Sequence, residues 1–105
     1  MVDFNQDMSS PGVSDPIRLR ENDSGVVFHI SGTATSFSAV VERSTRDPIR
    51  SSGNWAPAED ELWDGSLAAG VAPRVYDEPA RGWWRLRLVA IVGGSLQLNI
   101  MGERA

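Results

Sequence analysis

The chain has 105 residues and a net charge of −4, and it contains four tryptophans but no cysteine. A chain of this length forms one domain, and without cysteine it has no disulfides and no thiolate metal ligands. The negative charge disfavours a nucleic-acid partner, which binds a basic patch. No apolar run is long enough to span a bilayer, so we expect no membrane partner. Residues 1–12 lack the basic and apolar segments of a secretory signal.

Residues 1–15 are rich in Asp, Asn and Ser and show little apolar periodicity, with Phe4 and Met8 as their largest apolar side chains. We expect them to form an extended N-terminal arm with no fold of its own. Such an arm is either disordered or ordered on a neighbouring subunit, and we expect disorder for the isolated chain. The β-sandwich domain is then expected over residues 16–105.

Short segments with alternating apolar and polar residues follow the arm, which is the pattern of half-buried β-strands. We predict strands at residues 16–21, 26–31, 37–44 and 73–77, and short or irregular ones at 55–59 and 66–72. Val40 interrupts the polar side of its segment, so part of that second face is expected to be covered. Pro57 and Gly65 flank the acidic residues 59–64, which disfavours a long helix there.

Residues 82–101 carry the strongest strand pattern in the chain. The apolar positions of its two halves are Trp84, Leu86, Leu88 and Ala90, then Leu96, Leu98 and Ile100. Gly93 and Gly94 lie between the halves, and glycine pairs mark tight turns. We predict a β-hairpin with a three-residue loop at residues 92–94, because a one-residue slip would turn every side chain to the other face. The predicted cross-strand pairs are Ala90 with Leu96, Leu88 with Leu98, and Leu86 with Ile100.

Together these segments predict an all-β fold, a single antiparallel β-sandwich of about seven to eight short strands with an extended N-terminal arm. An Ig-like sandwich is the favoured topology, and a jelly roll is the alternative. The apolar face of the predicted hairpin is expected to pack against a second set of inward residues, Phe28, Ile30, Phe37 and Val41.

Residues that catalysis or metal binding would require are sparse. His29 is the single histidine and lies mid-strand with no Asp or Cys beside it, so we interpret it as a partly exposed strand residue. No G-x-S-x-G, P-loop or dinucleotide-binding motif is present. The acidic residues Glu59, Asp60, Glu61 and Asp64 lack EF-hand spacing and are interpreted as a solvated loop. We expect no catalytic, metal or cofactor site; a small hydrolase that uses His29 is a further hypothesis.

Two groups of residues are candidates for binding. The second face of residues 82–91 is too apolar for a solvated surface, and we predict that a partner subunit packs on it through Trp83, Arg85, Arg87, Val89 and Ile91. Exposed aromatic rings at strand ends and in loops stack on sugars, which makes ligand-stacking candidates of Trp55, Trp63 and Tyr76. The alternative for each aromatic residue is that it caps the small core.

The order of several features is similar to that of a known class of proteins. Residues 37–44 (FSAVVERS) precede a lone Trp55, and an acidic-proline turn at 77–79 precedes the segment WRLR at 84–87 and a glycine turn. This order resembles that of small β-sandwich structural proteins of tailed-bacteriophage or gene-transfer-agent virions. The resemblance covers roughly residues 31–101 of this chain.

The resemblance implies a non-enzymatic structural subunit of a tailed-phage-like virion, such as a tail, connector or capsid-decorating component. It implies localisation in the virion, contact with other virion proteins, a homo-oligomer and no cofactor. The four tryptophans on a small β-sandwich also support an alternative function, a carbohydrate-binding module whose partner is a host glycan.

Overall fold

The structure is a computed structural model and describes residues 2–19, 23–44, 55–59, 62–76 and 82–104. Within these ranges, ten strands form two antiparallel sheets that enclose one apolar core. The predicted all-β sandwich is therefore confirmed. No helix in these ranges is long and apolar enough to cross a membrane.

The strands are numbered in chain order: β1 (Val2–Met8), β2 (Gly12–Val13), β3 (Ile17–Leu19), β4 (Asp23–Gly32), β5 (Ser36–Ser44), β6 (Ala56–Pro57), β7 (Trp63–Gly65), β8 (Arg74–Tyr76), β9 (Gly82–Val92) and β10 (Leu96–Arg104). One sheet has four strands, in the order β1-β10-β4-β8. The other has six, with β9 and β5 paired at its centre. The short strands β2 and β3 pair with the far edge of β9, and β6 and β7 pair with the far edge of β5.

Most of the predicted strand segments are present, and the one at residues 66–72 is not. Of the acidic residues interpreted as a solvated loop, Glu59 is exposed outside the strands, Asp64 is exposed on β7, and Asp60 and Glu61 lie outside the described residues. Residues 66–72 contain a turn rather than a strand, in which Gly70 N donates to Leu67 O at 3.1 Å. The N–H groups of Leu67 and Ala68 both donate to Ala34 O, at 3.0 and 3.1 Å. Leu67 is thereby buried at one end of the sandwich.

Most of the core residues lie on the inward faces of the four longest strands, β4, β5, β9 and β10. Inward residues of β9 and β10 are at most 1% exposed: Trp84, Leu86, Leu88, Leu96, Leu98 and Ile100. Beside them, on β4 in the sheet of β10 and on β5 in the sheet of β9, lie Val26, Phe28, Ile30, Phe37, Ala39 and Val41. Burying a side chain as large as leucine contributes roughly 1.5–3 kcal/mol, so these alternating positions supply much of the driving force for folding.

The hairpin predicted at residues 82–101 is wrong in its pairing, although both of its strands exist. Leu86 in β9 pairs with Val41 in β5, whereas Leu98 in β10 pairs with Ile30 in β4. The two strands therefore lie in different sheets, and the connection between them crosses from one sheet to the other. Their apolar faces meet across the interior instead of lying side by side, which buries both faces without a separate covering layer.

Because β9 and β10 lie in different sheets, the core residues are also divided between the two sheets differently from the prediction. Leu86 and Leu88 share a sheet with Phe37 and Val41, which had been assigned to the opposite layer. The second layer instead joins β10 to β4, with Ile100 paired to Phe28 and Leu98 to Ile30. All of these residues are buried, so the core residues were predicted correctly while their grouping into sheets was not.

Two sheet-crossing connections lie side by side at one end of the sandwich. The first, Thr33 to Thr35, leads from β4 to β5, and the second, Gly93 to Ser95, leads from β9 to β10. Thr33 N donates to Ser95 O at 3.1 Å, and Ser95 N donates to Thr33 Oγ1 at 3.2 Å. Because each connection satisfies the backbone groups of the other, the pair fixes where both chains change sheets.

The N-terminal arm belongs to the sandwich. Every residue of β1 pairs with β10, and Phe4 lies opposite Ile100. Met8 is buried in the core, and Phe4 packs partly against it. The expectation that residues 1–15 have no fold of their own and are disordered in the isolated chain is wrong for residues 2–8 and 12–13, because these pair with β10 and β9.

Ser14 bridges the two short strands that follow the arm. Its N–H donates to Leu86 O at 2.8 Å, and its Oγ accepts from Leu86 N–H at 2.9 Å. The residue is 1% exposed. A serine side chain thus completes the hydrogen bonding along β9 between β2 and β3, where the backbone alone leaves a gap.

Candidate functional site

The outward surface of the six-stranded sheet combines basic, acidic and apolar side chains. Its strand register places Glu42 opposite Arg85, Val40 opposite Arg87, and Arg18 opposite Trp83. On the other side of β9, Val13 is also opposite Arg87. We call this surface the Arg–Glu face and define it by Val13, Arg18, Val40, Glu42, Trp83, Arg85, Arg87 and Val89.

Glu42 is the buried centre of the Arg–Glu face. Its side chain is 8% exposed and accepts hydrogen bonds from two guanidinium groups, Arg85 Nε to Oε1 at 2.9 Å and Arg87 Nε to Oε2 at 3.2 Å. A buried carboxylate is tolerated only when it is paired. Because one carboxylate faces two guanidinium groups, the cluster keeps one net positive charge.

The two arginines differ in exposure. The side chain of Arg85 is 20% exposed and that of Arg87 is 45% exposed. Arg85 is also held from the other side, because its Cζ lies 4.2 Å from the centroid of the Trp55 ring. Such a cation–π contact contributes about 0.5–2 kcal/mol and restrains the guanidinium plane. Arg85 is therefore fixed between a carboxylate and an indole ring.

A β-bulge changes which residues of β9 face outward. The pairing with β5 shifts between Ser38 and Ala39, so Ala39 pairs with Leu88 while Ser38 pairs with Ala90. Val89 and Ala90 are both exposed as a result, and Ile91 turns inward to pack against the core. The prediction that Ile91 faces outward with Arg85 and Arg87 is wrong, because the extra residue resets the alternation.

The other four residues of the predicted interface lie where the alternation placed them. Trp83 and Arg85 are half-buried on the outer side of the sheet, and Arg87 and Val89 are exposed. Val40 is 6% exposed although its side chain is outside the core cluster, which agrees with the expectation that part of this face is covered.

The three candidate ligand-stacking residues do not form one open surface. Trp63 and Tyr76 are buried, at 4% and 7% exposure, whereas Trp55 is half-buried beneath Arg85. Trp63 makes an edge contact with Phe37, with ring centroids 6.2 Å apart. Both buried rings therefore cap the core, which was the alternative interpretation of these residues.

Arg74 closes the surface above Trp63. Its Cζ lies 5.2 Å from the Trp63 ring, and its Nη1 donates to Glu59 Oε2 at 2.8 Å. Its Nη2 donates to Leu62 O at 3.4 Å. The guanidinium occupies the ring surface that a sugar would otherwise contact.

Tyr76 carries a buried hydroxyl group without a hydrogen-bond partner in the described part of the chain. Its ring packs against Trp84 and Phe28, with centroid distances of 5.4 and 6.2 Å. Burial raises the pKa of Tyr76 to about 12, and the charge of Glu59 adds to the effect. The phenol is therefore neutral over the physiological range and behaves as part of the core.

His29 lies on the other side of the molecule, exposed on the outer surface of the four-stranded sheet and paired with Asn99. Asn99 Nδ2 donates to Asp3 Oδ1 at 2.8 Å and to Asn5 Oδ1 at 2.9 Å. Among the described residues, no group of three or more His, Asp or Glu side chains is arranged to hold a metal ion.

Several residues of the Arg–Glu face were not identified from the sequence. Glu42 had a visible signal, because a single carboxylate directly after the mainly apolar residues 37–41 predicts a paired charge. Val13 and Arg18 had no such signal in the sequence. They lie on this face because β2 and β3 pair with β9, which the local pattern does not predict. The contact of Arg43 with Trp84, 4.5 Å from Cζ to the ring centroid, likewise depends on strand register.

No protein-family model and no curated protein matches the chain. Among solved structures, it is similar to the crystal structure of the SPBc2 prophage-derived protein YomS, with 12% sequence identity and a TM-score of 0.48. The match covers 98% of this chain and 96% of that chain. At that identity and score, the similarity assigns no function.

Proposed function

We propose that the chain is a non-enzymatic structural subunit of a tailed-phage-like virion, a tail, connector or capsid-decorating component that acts through protein–protein contacts. The observation that carries the protein-binding role is the Arg–Glu face, where Glu42 holds two arginines in place beside exposed apolar side chains. The assignment to a virion comes from the order of strand and turn features along the sequence, which resembles that of virion β-sandwich proteins.

The composition of the Arg–Glu face supports a role in binding protein. Interfaces are enriched in Arg and Trp, and the residues that contribute most of the binding energy are often of these two types. Arg85 is already restrained by Glu42 and Trp55, so less conformational entropy is lost when a partner binds. Glu42, Arg85 and Arg87 also lie on the two central strands of the sheet, where pairing on both sides keeps the backbone rigid.

A carbohydrate-binding module receives less support. Two of the three candidate stacking rings, Trp63 and Tyr76, are buried, and Arg74 lies over Trp63. Trp55 is half-buried and already stacks with Arg85. Sugar stacking would require at least one open aromatic surface.

The proposal is tested by finding the chain in particles. Particles from the strain that encodes the chain are purified on a density gradient and analysed by quantitative mass spectrometry. We expect the chain at a fixed ratio to the major capsid protein, and a detergent or salt wash should not remove it. Absence from the particles, together with a strictly monomeric state at high concentration in light scattering, would overturn the proposal.

A further inference from the structure

The Arg–Glu face is positively charged on a protein that is negative overall. Three arginines, Arg18, Arg85 and Arg87, lie on it with one carboxylate, Glu42, whereas the whole chain has a net charge of −4. A local reversal of sign attracts partners of opposite charge and orients them as they approach.

Arg85 and Arg87 carry further hydrogen-bond donors at their Nη groups. Arg85 and Arg87 each bind Glu42 through Nε, and within the described part of the chain their Nη groups make no hydrogen bond. Glu42 anchors both guanidinium groups at Nε, which leaves their Nη groups as further donors. A carboxylate accepts two parallel hydrogen bonds from such a group.

The spacing of the two arginines along their strand suits an extended ligand. Arg85 and Arg87 occupy alternate positions of β9, which places their Cα atoms roughly 7 Å apart. Carboxylates at alternate positions of an extended peptide have the same spacing. A peptide that follows β9 therefore presents one carboxylate to each arginine.

Exposed apolar side chains lie next to Arg87, where a peptide that follows β9 would contact them. Of the five exposed large hydrophobic residues in the described ranges, Val13, Val89 and Val92 lie on β2 and β9, at 47%, 42% and 60% exposure. Val13 lies opposite Arg87, and Val89 lies two residues beyond it. A ligand that uses both kinds of contact has acidic and apolar side chains, which are features of a protein segment.

We propose that the Arg–Glu face binds an acidic, extended segment of a partner protein, with carboxylates at alternate positions paired to the Nη groups of Arg85 and Arg87 and an apolar residue packed on Val13 and Val89. This deepens the proposed function, since in a virion the segment belongs to a neighbouring subunit. A polyanion such as nucleic acid fits less well, because it requires many cationic contacts and the chain as a whole is negative.

The test uses the full chain and a peptide with the sequence Val-Thr-Glu-Thr-Glu, with Val-Thr-Gln-Thr-Gln as the control peptide. Binding is followed by NMR titration of the arginine side-chain N–H signals. We expect the acidic peptide to shift the Nε signals of Arg85 and Arg87 and the control peptide to leave them unchanged. If the acidic peptide shifts neither signal up to the highest concentration at which it is soluble, the proposal is overturned.

Substitutions distinguish specific pairing of the peptide carboxylates with Arg85 and Arg87 from general attraction of the acidic peptide to a positively charged face. Arg85→Gln and Arg87→Gln should each weaken peptide binding by about tenfold, because a bidentate charge-assisted contact is lost. Arg18→Gln removes the same charge from the same face and should weaken binding by about twofold or less. Equal losses in all three variants would contradict the proposal.

For Glu42→Gln, the proposed arrangement and general charge attraction predict opposite changes in peptide affinity. The substitution makes the face more positive, so general attraction would tighten binding. In the proposed arrangement it weakens binding, because the amide cannot anchor both guanidinium groups through two acceptor oxygens. Circular dichroism of each variant verifies that the sandwich is intact. Tighter binding by a folded Glu42→Gln variant would overturn the proposal.

An oligothymidylate of similar charge tests the competing ligand class. If it binds more tightly than the peptide and depends on Arg85 and Arg87, the face recognises phosphate and the proposal fails. Because the peptide titration uses the isolated chain, its failure leaves the particle experiment unaffected. Equally, a chain that binds the peptide but is absent from particles would overturn the virion role and leave the binding face established.

Discussion

Arg85 Nε donates a hydrogen bond to Glu42 Oε1 over 2.9 Å, although the two residues are separated by 43 positions in the chain. Adjacent positions on β5 and β9 bring them together. The carboxylate is 8% exposed and has a second donor in Arg87. Hydrogen bonds to both of its oxygens therefore offset the cost of removing it from water. The same ion pair therefore connects two strands of the six-stranded sheet and positions a charged group on its outer face.

Removal of Glu42 should destabilise the chain. Glu42→Ala leaves two guanidinium groups without a counter-charge, and we expect a loss of about 1–2 kcal/mol in the free energy of unfolding. The loss is smaller than for a fully buried pair because Arg85 and Arg87 retain contact with water. Urea denaturation measures it. The control is Asp64→Ala, an exposed carboxylate on β7, which should change the value by less than about 0.5 kcal/mol. Equal effects would show that pairing with arginine contributes nothing.

Ser14→Ala should leave the Leu86 N–H buried without an acceptor. The Ser14 hydroxyl accepts from that group at 2.9 Å, and Ser14 is 1% exposed. An unsatisfied buried donor costs about 1–3 kcal/mol, and we expect a loss of that size in chemical denaturation. Hydrogen exchange at Leu86 should also accelerate. Ser38→Ala on β5, half-buried and without a side-chain hydrogen bond in the described part of the chain, should be nearly neutral.

Gly94 should tolerate alanine poorly because of its position in the connection between β9 and β10. Its φ is +153°, and an added Cβ would lie 2.6 Å from the Thr33 carbonyl carbon and 2.7 Å from Ala34 N. Gly12 is a matched control, with φ of +155° and nothing within 4 Å of an added Cβ. Both variants incur backbone strain of about 1–3 kcal/mol, and Gly94→Ala should lose roughly 1–3 kcal/mol more from the clash. Equal losses in thermal unfolding would mean that the adjacent connection moves aside freely.

Stability should fall in alkaline solution through Tyr76. Its pKa is raised from 10.0 to about 12 in the folded chain, so the unfolded chain loses this proton first. The contribution of Tyr76 to stability is therefore constant well below pH 10 and is lost between pH 10 and about 12, with a slope approaching about 1.4 kcal/mol per pH unit. The chain has one tyrosine, and its ten strongly basic residues are all arginine, so no other side chain titrates in this window.

Tyr76→Phe provides the comparison. The variant removes a buried hydroxyl group that has no hydrogen-bond partner in the described residues, so its stability at neutral pH should be equal to or greater than that of the original chain. Its urea midpoint should not change between pH 10 and 12. Tyrosinate absorbance of the folded original chain should titrate near pH 12. Titration near pH 10 would show that the phenol has access to water.

The sequence predicted the strands and their inward residues because alternation records which face of a strand is buried. Leu86, Leu98 and Phe28 were all expected in the core, and all three are at most 1% exposed. Alternation also placed Arg85 and Arg87 on the outer face. It failed at Ile91, because one bulge residue reverses the pattern and no residue near Val89 marks the bulge.

Strand partners were decided by the tertiary structure. An apolar–polar alternation around Gly93 and Gly94 fits a hairpin, and it fits two strands in facing sheets equally well, because both arrangements bury the same side chains. The choice depends on partners far away in the chain: β1 and β4 pair with the two edges of β10, and β5 pairs with one edge of β9 while β2 and β3 pair with the other. Once those pairs form, β9 and β10 have no edge left for each other, and their apolar faces meet across the core.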